Sequence, residues 1–288
     1  MTTKRLLIAD CDETIIAMLP GKEELGNFTV AFTLRLAKLP ELRSKITWEE
    51  MKEWYKKGYA RIDGTPHLYG WLRDGVIVAS ACDELLKASV IAGEILDSCG
   101  ALMDPTIRHT TIQRIFKESY PFGVSELKPG AAETLNKLRH AGWSTEVVTN
   151  APTSKAQTKL ANLFKNLPTE QSLTWLLEHV HGDADKWHVI EPEKACYNQH
   201  LQRPIPTERP RLFRVLDPLC AGADKIVFIG DNADMDLHPG RQRFLHLNPI
   251  CILIANSHTP VYDLRYFSEA PNCFVVRTWQ EVEALLNP

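Results

Sequence analysis

The run Arg5–Ala9, RLLIA, is short and apolar and stops at Asp10. A run of this length with no polar alternation is the pattern of a strand buried on both faces, as parallel strands are when helices cover them. Four more runs of the kind follow, at Ser144–Thr149, Lys225–Gly230, Ile250–Ala255 and Cys273–Arg277, with a weaker one at His179–His181. Helical stretches lie between them, at Gly130–His140, Ser154–Leu163 and Pro210–Leu219. A last helix, Trp279–Leu286, opens with Thr278-x-x-Glu281, a capping-box spacing. Strands alternating with helices predict an α/β chain built on a doubly wound, Rossmann-like parallel sheet with right-handed crossovers.

One region breaks the alternation. From about Gly21 to Tyr120 no good strand run stands out, and several helices do. Thr47-x-x-Glu50 opens Trp48–Tyr59, Cys82–Leu96 is amphipathic, and Pro105–Ser119 begins with proline at a first-turn position. Lys128-Pro129-Gly130 then punctuates the return to the alternating pattern. The expected organisation is a core made of residues 1–20 and 126–288, with residues 21–125 inserted as an all-α cap.

The bulk properties exclude other classes. A chain of 288 residues with 44% hydrophobic and 24% charged residues is globular, and it needs no disulfide or metal to hold its core together. The formal charge of −3 gives no reason to expect nucleic acid or an anionic membrane as partner. No apolar run approaches the ~18 residues of a membrane span. The basic, then apolar, start is interrupted by Asp10 and Asp12 and fails as a secretory signal. Seven scattered cysteines without a C-x-x-C fit reduced thiols and a cytoplasmic setting. Nothing in the sequence reads out an oligomeric state.

Chemistry concentrates where the runs end. Asp10-Cys11-Asp12-Glu13-Thr14 places two carboxylates at the carboxyl end of the first strand, the side on which open α/β sheets bind ligands. Read plainly, Asp and Thr there are turn formers. Gly230-Asp231-Asn232-Ala233-Asp234-Met235-Asp236 brings three more carboxylates to the end of another strand, and on its own it reads as an acidic loop capping the next helix. If the two loops are neighbours, their carboxylates crowd one another, and like charges resist joint ionisation. A hard divalent cation relieves that conflict, and Mg²⁺ is the usual one where phosphate completes the ligand set. Val147-Val148-Thr149-Asn150 ends a third strand in a hydroxyl and an amide, a weak signal by itself.

Taken in order, D-x-D-x-T, an apolar strand ending in Thr, and G-D-x-x-x-x-D resemble the haloacid dehalogenase-like superfamily, in its subgroup with a helical cap. The resemblance covers residues 1–20 and 126–288. It implies that Asp10 is a nucleophile forming an aspartyl-phosphate, and that Asp12 protonates the leaving oxygen and then activates water. It implies Mg²⁺ held by Asp10, the main-chain carbonyl of Asp12, and Asp231. Asp236, the second acid of the late motif, would complete the metal site by orienting ligands or metal-bound water, with Asp234 as its competitor. Thr149 and the backbone of Asn150 would hold phosphoryl oxygens, with Cys11 and Lys186 also among the phosphate-binding positions.

The same resemblance requires a lysine to neutralise Asp10 and the phosphoryl group. Arg203-Pro204-Ile205-Pro206 and Arg209-Pro210 stand where many capped members carry K-P-x-P, so the lysine is missing from its usual place. Lys186, after the short run and turn VHGDAD, is the first candidate and Lys194 the second; a solvated surface charge is the plain reading of either. Arg209 supplies charge in a broad fork, not a compact ammonium. His179 and His181 share a strand face, but without a third ligand at a recognisable spacing they read as ordinary histidines.

The expected function is a Mg²⁺-dependent phosphatase acting on a small phosphorylated metabolite. The alternatives are a non-catalytic binding or regulatory protein of the same fold, invited by the displaced lysine, and a phosphomutase or dehalogenase relative. Dehalogenation has no use for the acid two residues after the nucleophile, and Asp12 is present.

Overall fold

A computed structural model describes residues 3–18, 25–73, 76–80, 83–101, 103–120, 125–191 and 194–287. The expected domain junctions near residues 20 and 125, Cys82, and Pro192-Glu193 before Lys194 lie at or outside the edges of those residues. In chain order the elements are β1 (Arg5–Ala9), β2 (Ile16–Met18), α1 (Asn27–Leu36), α2 (Trp48–Gly64), β3 (Gly70–Arg73), β4 (Val76–Ser80), α3 (Glu84–Ser98), α4 (Pro105–Ser119), β5 (Ser125–Leu127), α5 (Ala131–His140), β6 (Trp143–Val148), α6 (Thr153–Phe164), β7 (Val180–His181), β8 (Ala195–Asn198), β9 (Arg203–Pro206), α7 (Pro210–Cys220), β10 (Lys225–Gly230), α8 (His238–Arg243), β11 (Ile250–Ile254), α9 (Val261–Glu269), β12 (Cys273–Val276) and α10 (Trp279–Leu286).

Six strands form one sheet in the order β12-β11-β10-β1-β6-β7, and the neighbours run parallel. The runs named from sequence fall within a residue or so of these strands; β1, β10 and β11 are too short and too uniformly apolar to sit anywhere but between two covered faces. Alternate residues of one strand feed opposite faces. Leu7 and Ala9 join Val147, Val227 and Ile229 in the core under α5, α6 and α10. Leu6 and Ile8 join Ile226, Phe228 and Leu253 in the core under α7 and α9. β1 lies between β10, far on in the chain, and β6, so connections leave it in both directions and open a crevice at its carboxyl end.

The chain divides into two compact units. The first contains residues 1–17, 72–79 and 126–288, and the second contains residues 18–71 and 80–125. The second is built on α1 to α4. Thr47 caps α2 with the reciprocal Glu50 box, and Asp104 and Pro105 start α4. Where the sequence suggested helices alone, β3 and β4 pair with one another, and residues 72–79 belong with the first unit. Val76–Ser80, VIVAS, is apolar and partly β-branched and makes a strand. Its run was hidden among stronger helical signals on either side. No helix among the described residues is long and apolar enough to cross a membrane.

Candidate active site

The site begins at the end of β1. The Asp10 N–H donates to the carbonyl of Ile229 on β10 at 3.0 Å, so the ladder runs on one residue past the strand and fixes Asp10 at its tip. After it the chain turns sharply. Glu13 takes a left-handed conformation, and the Ile15 and Ile16 N–H groups both donate to the Cys11 carbonyl at 3.0 Å. The turn is tied to the C-terminal helix, where the buried Trp279 indole donates to the Thr14 carbonyl at 2.9 Å.

The second loop follows β10. Asn232 caps a single wide helical turn, Ala233–Leu237, its side-chain oxygen accepting from the Asp234 and Met235 N–H groups. The turn carries Asp236 back over the strand end, where it accepts from the Asn232 N–H at 3.1 Å. This return requires glycine at 230. A Cβ there would stand 2.4 Å from the Asp236 Cβ, well inside contact distance. Carboxylate oxygens of Asp10, Asp231 and Asp236 lie within 4.8 Å of one another, the one such group among the described residues. Asp234 turns the other way, to Arg203 at 3.0 Å, with both side chains buried. Of the two acids left open by spacing, Asp236 is therefore the one that meets Asp10.

The third loop brings in the ammonium. After β7, Asp183 and Asp185 both take left-handed backbone conformations, and the loop is pinned to the end of β6. The Ala184 N–H donates to the Thr149 carbonyl, the Asp183 N–H to the Ala151 carbonyl, and the Gly182 N–H to the Thr153 hydroxyl. Lys186 then points inward, 3% exposed, with Nζ 2.6 Å from Asp10 Oδ1 and 2.7 Å from Asp236 Oδ1. Lys194 is exposed and pairs with Glu191. Of the two lysines the sequence offered, Lys186 is the one that meets Asp10, from the loop after β7, two strands away from β1.

The electrostatics follow from crowding. Burial raises the Asp10 carboxyl to about 7; Lys186 pulls it down, and Asp236 pushes it up again. Burial works against the Lys186 ammonium, but Asp10 and Asp236 outweigh it and hold its pKa above the ordinary value. One ammonium among three carboxylates leaves excess negative charge in a partly dry crevice. A hard divalent cation suits that donor set, since all three donors are carboxylate oxygens within reach of a common centre.

The remaining sequence candidates are distributed as follows. Thr149 is buried at the end of β6, its hydroxyl accepting from the Ala151 N–H at 3.3 Å. Asn150 uses its side chain, not only its backbone, accepting from the Lys186 N–H at 2.7 Å. The Cys11 side chain packs into the apolar core, so any phosphoryl contact from position 11 falls to its backbone. Asp12 lies outside the acidic trio and pairs with Lys159 of α6, Nζ to Oδ1 2.5 Å. His179 and His181 each bond to an oxygen of Glu146, at 3.1 and 2.8 Å, an arrangement of two imidazoles clasping one carboxylate.

Sequence reasoning missed two neighbours of the acidic loops, Lys159 and Asn256, and placed a third residue, Arg209, differently. Lys159 had no motif, and only its position in the second turn of α6, the helix after Thr149, places it beside Asp12. Asn256, after β11, donates to Asp231 at 3.4 Å. Arg209 was considered as a source of charge at the site. Instead it is fully buried and donates to the carbonyls of Lys186 and, at 2.6 Å, Val78.

No protein-family model and no curated protein matches the chain. Solved structures do. A protein assigned as a phosphoglycolate phosphatase from Lactobacillus delbrueckii is similar at 15% identity and TM-score 0.54, with all of both chains covered. Another so assigned, from Haemophilus somnus, is similar at 16% identity and TM-score 0.52, with 99% of each chain covered. A protein assigned as a haloacid dehalogenase-like hydrolase from Bacteroides fragilis is similar at 13% identity and TM-score 0.50, over 97% of this chain and 100% of that one. With the six-stranded parallel order and the loops that end it, these likenesses show that the chain has the haloacid dehalogenase-like fold.

Proposed function

We propose that this protein is a Mg²⁺-dependent phosphatase that hydrolyses a small phosphorylated compound through an aspartyl-phosphate on Asp10. The observation that carries the reading is the meeting of Asp10, Asp231 and Asp236 around a shared centre, with the Lys186 ammonium on Asp10 and Asp236. The phosphatase assignments of two similar structures favour phosphate esters over halides. So does Asp12, which dehalogenation does not use. The inserted helical unit, by its resemblance to the capped subgroup, favours a small substrate.

In this reading Asp10, Asp231, Asp236 and the Asp12 carbonyl hold the cation. When bound, it withdraws charge from the phosphoryl oxygens and leaves the carboxylates free of mutual repulsion. Asp10 attacks phosphorus through one carboxylate oxygen as the bond to the leaving oxygen breaks, and Asp12 delivers its proton to that oxygen. Water then attacks the phosphoryl group, Asp12 takes the water's proton, and the Asp10–phosphorus bond breaks to release inorganic phosphate. Thr149, through its hydroxyl, and Lys186 hold the phosphoryl oxygens as charge builds on them.

A non-catalytic protein is the second reading. The feature that invited it was the missing lysine, and Lys186 at 2.6 Å from Asp10 weighs against it. Release of phosphate from p-nitrophenyl phosphate by the full chain, with and without Mg²⁺, tests the proposal. No turnover with millimolar Mg²⁺ across a panel of phosphorylated metabolites would reject it.

A further inference from the structure

Lys186 is held by more than its own side chain. Its N–H donates to the Asn150 side-chain oxygen at 2.7 Å, and its carbonyl accepts from the Arg209 guanidinium. Both backbone polar groups of one residue are therefore taken by side chains from other loops, and neither by a strand ladder or a helix. Lys186 follows two left-handed residues, Asp183 and Asp185, in a loop that lacks regular structure of its own, so these two clamps define where the ammonium starts.

Arg209 is an unusual residue for a purely structural task. It is 0% exposed, and it occupies the position just before Pro210 at the start of α7, where the helix fixes its backbone. Its Nη atoms reach two carbonyls, Lys186 and Val78, while its Nε has no hydrogen-bond partner. Asp234 is near enough to favour its charge, but Asp234 is paired with Arg203. Burying a guanidinium is costly, and well-packed apolar side chains often do as well or better where stability alone is at stake. The charge is spent on a backbone carbonyl whose residue presents its ammonium to Asp10.

We propose that Arg209 is a positioning residue for Lys186. With Asn150 on the N–H and Arg209 on the carbonyl, the ammonium is delivered to Asp10 and Asp236, and loosening the Arg209 clamp lets it drift from both. The inference rests on the phosphatase reading for its kinetic consequence, though not for its structural one.

The test uses the full chain with Arg209→Met and Arg209→Lys, each in the native and the Lys186→Ala background, assayed with p-nitrophenyl phosphate and Mg²⁺. Arg209→Met should lower kcat about 100-fold, the scale of a displacement of about an ångström at a catalytic group. Arg209→Lys should fall between it and the native enzyme. In the Lys186→Ala background either change should cost little further, because the group being positioned is gone. Equal losses in both backgrounds would mean general damage and overturn the proposal. Crystal structures of the two variants give a readout free of turnover: Lys186 Nζ should leave hydrogen-bond distance of Asp10 Oδ1, and an unmoved Nζ overturns the proposal whatever the rates. A displaced Nζ in a protein whose native form releases no phosphate would keep the clamp and reject the phosphatase reading. If Arg209→Met does not fold, Arg209→Lys carries both measurements, and failure of both to fold assigns Arg209 to structure alone.

Discussion

Each of the two units buries a lysine. In the helical unit Lys87, on α3, is 0% exposed and pairs with Asp63 on α2, whose side chain is 46% exposed. Its partner Asp63 stays about half in water, so only one member of that pair is fully desolvated. The rest of that unit buries apolar side chains and a few hydroxyls, such as Phe28, Phe32, Tyr55, Thr29 and Thr33. In the core unit Lys186 meets two carboxylates that are themselves largely buried, and Arg203, Arg209, Asp231, Asp234, His238 and Asp263 are buried nearby or in the adjoining loops. Burial pushes His238 down to about 4, so its imidazole is neutral near pH 7, and it pushes the Asp263 carboxyl well up. A fold does not need such a concentration of desolvated charge to be stable. One unit therefore shows a buried lysine beside a half-solvated partner, and the other a buried lysine between two largely buried carboxylates.

That contrast can be broken most directly at Asp10. Asp10→Asn should lower phosphate release on the order of 10⁴-fold, as loss of a nucleophile does. Equal rates for the two proteins would end the assignment. Next come the lysines. Lys186→Ala should cost about 10² to 10³ in kcat, the scale of removing one group that stabilises transition-state charge. Lys194→Ala and Lys87→Met should stay close to native. A larger loss at Lys194 or Lys87 than at Lys186 would remove the distinction between the units.

Smaller effects concern stability. Mg²⁺ should raise the melting temperature of the native protein by the equivalent of about 2.7 kcal/mol at a hundredfold excess over its Kd. Asp231→Asn should weaken that response, and Lys87→Met should keep it. A melting curve unmoved by millimolar Mg²⁺ would argue against the cation.

The pH dependence sharpens the same point. The folded Asp10 carboxyl titrates near 7 and the unfolded one at 3.8, so between them the folded state binds more protons. The Asp10 contribution is therefore most favourable below about pH 4 and is lost as pH rises through about 7. Without divalent metal, the stability advantage of Asp10→Asn over the native protein should shrink as pH is lowered from 7 toward 4, read as the difference in melting temperature. An advantage that grows on acidification would reverse the sign and refute the crowding. The smallest effect on phosphate release is expected at Lys87→Met, which should leave kcat at the native value, because Lys87 pairs with Asp63 inside the helical unit.

Much of this was legible in the chain. The strands β1, β10 and β11 were visible because an uninterrupted apolar run of four or five residues has few other homes, while β6, WSTEVV, and β12, CFVV, showed only shorter apolar stretches. The capping boxes at Thr47 and Thr278 were visible because they are local hydrogen-bond patterns. Asp10, Asp12, Thr149 and Asp231 were visible because each follows such a strand directly. β3 and β4 were not, since a lone pair of short strands among helices has no periodicity to set it apart. The choice of Asp236 over Asp234 was ordered by spacing but depends on a wide turn, and on glycine at 230 leaving room for the returning carboxylate.

The order of apolar runs and the acids at their ends were fixed by sequence alone, because desolvation of a strand and the turn that ends it are decided within a few residues. Which lysine meets Asp10, and what Arg209, Lys159 and Asn256 touch, was decided only by the tertiary structure. Those partners come from loops separated by tens to hundreds of residues, and what joins them is the parallel register that brings the carboxyl ends of β1, β6, β7 and β10 to the same side of one sheet.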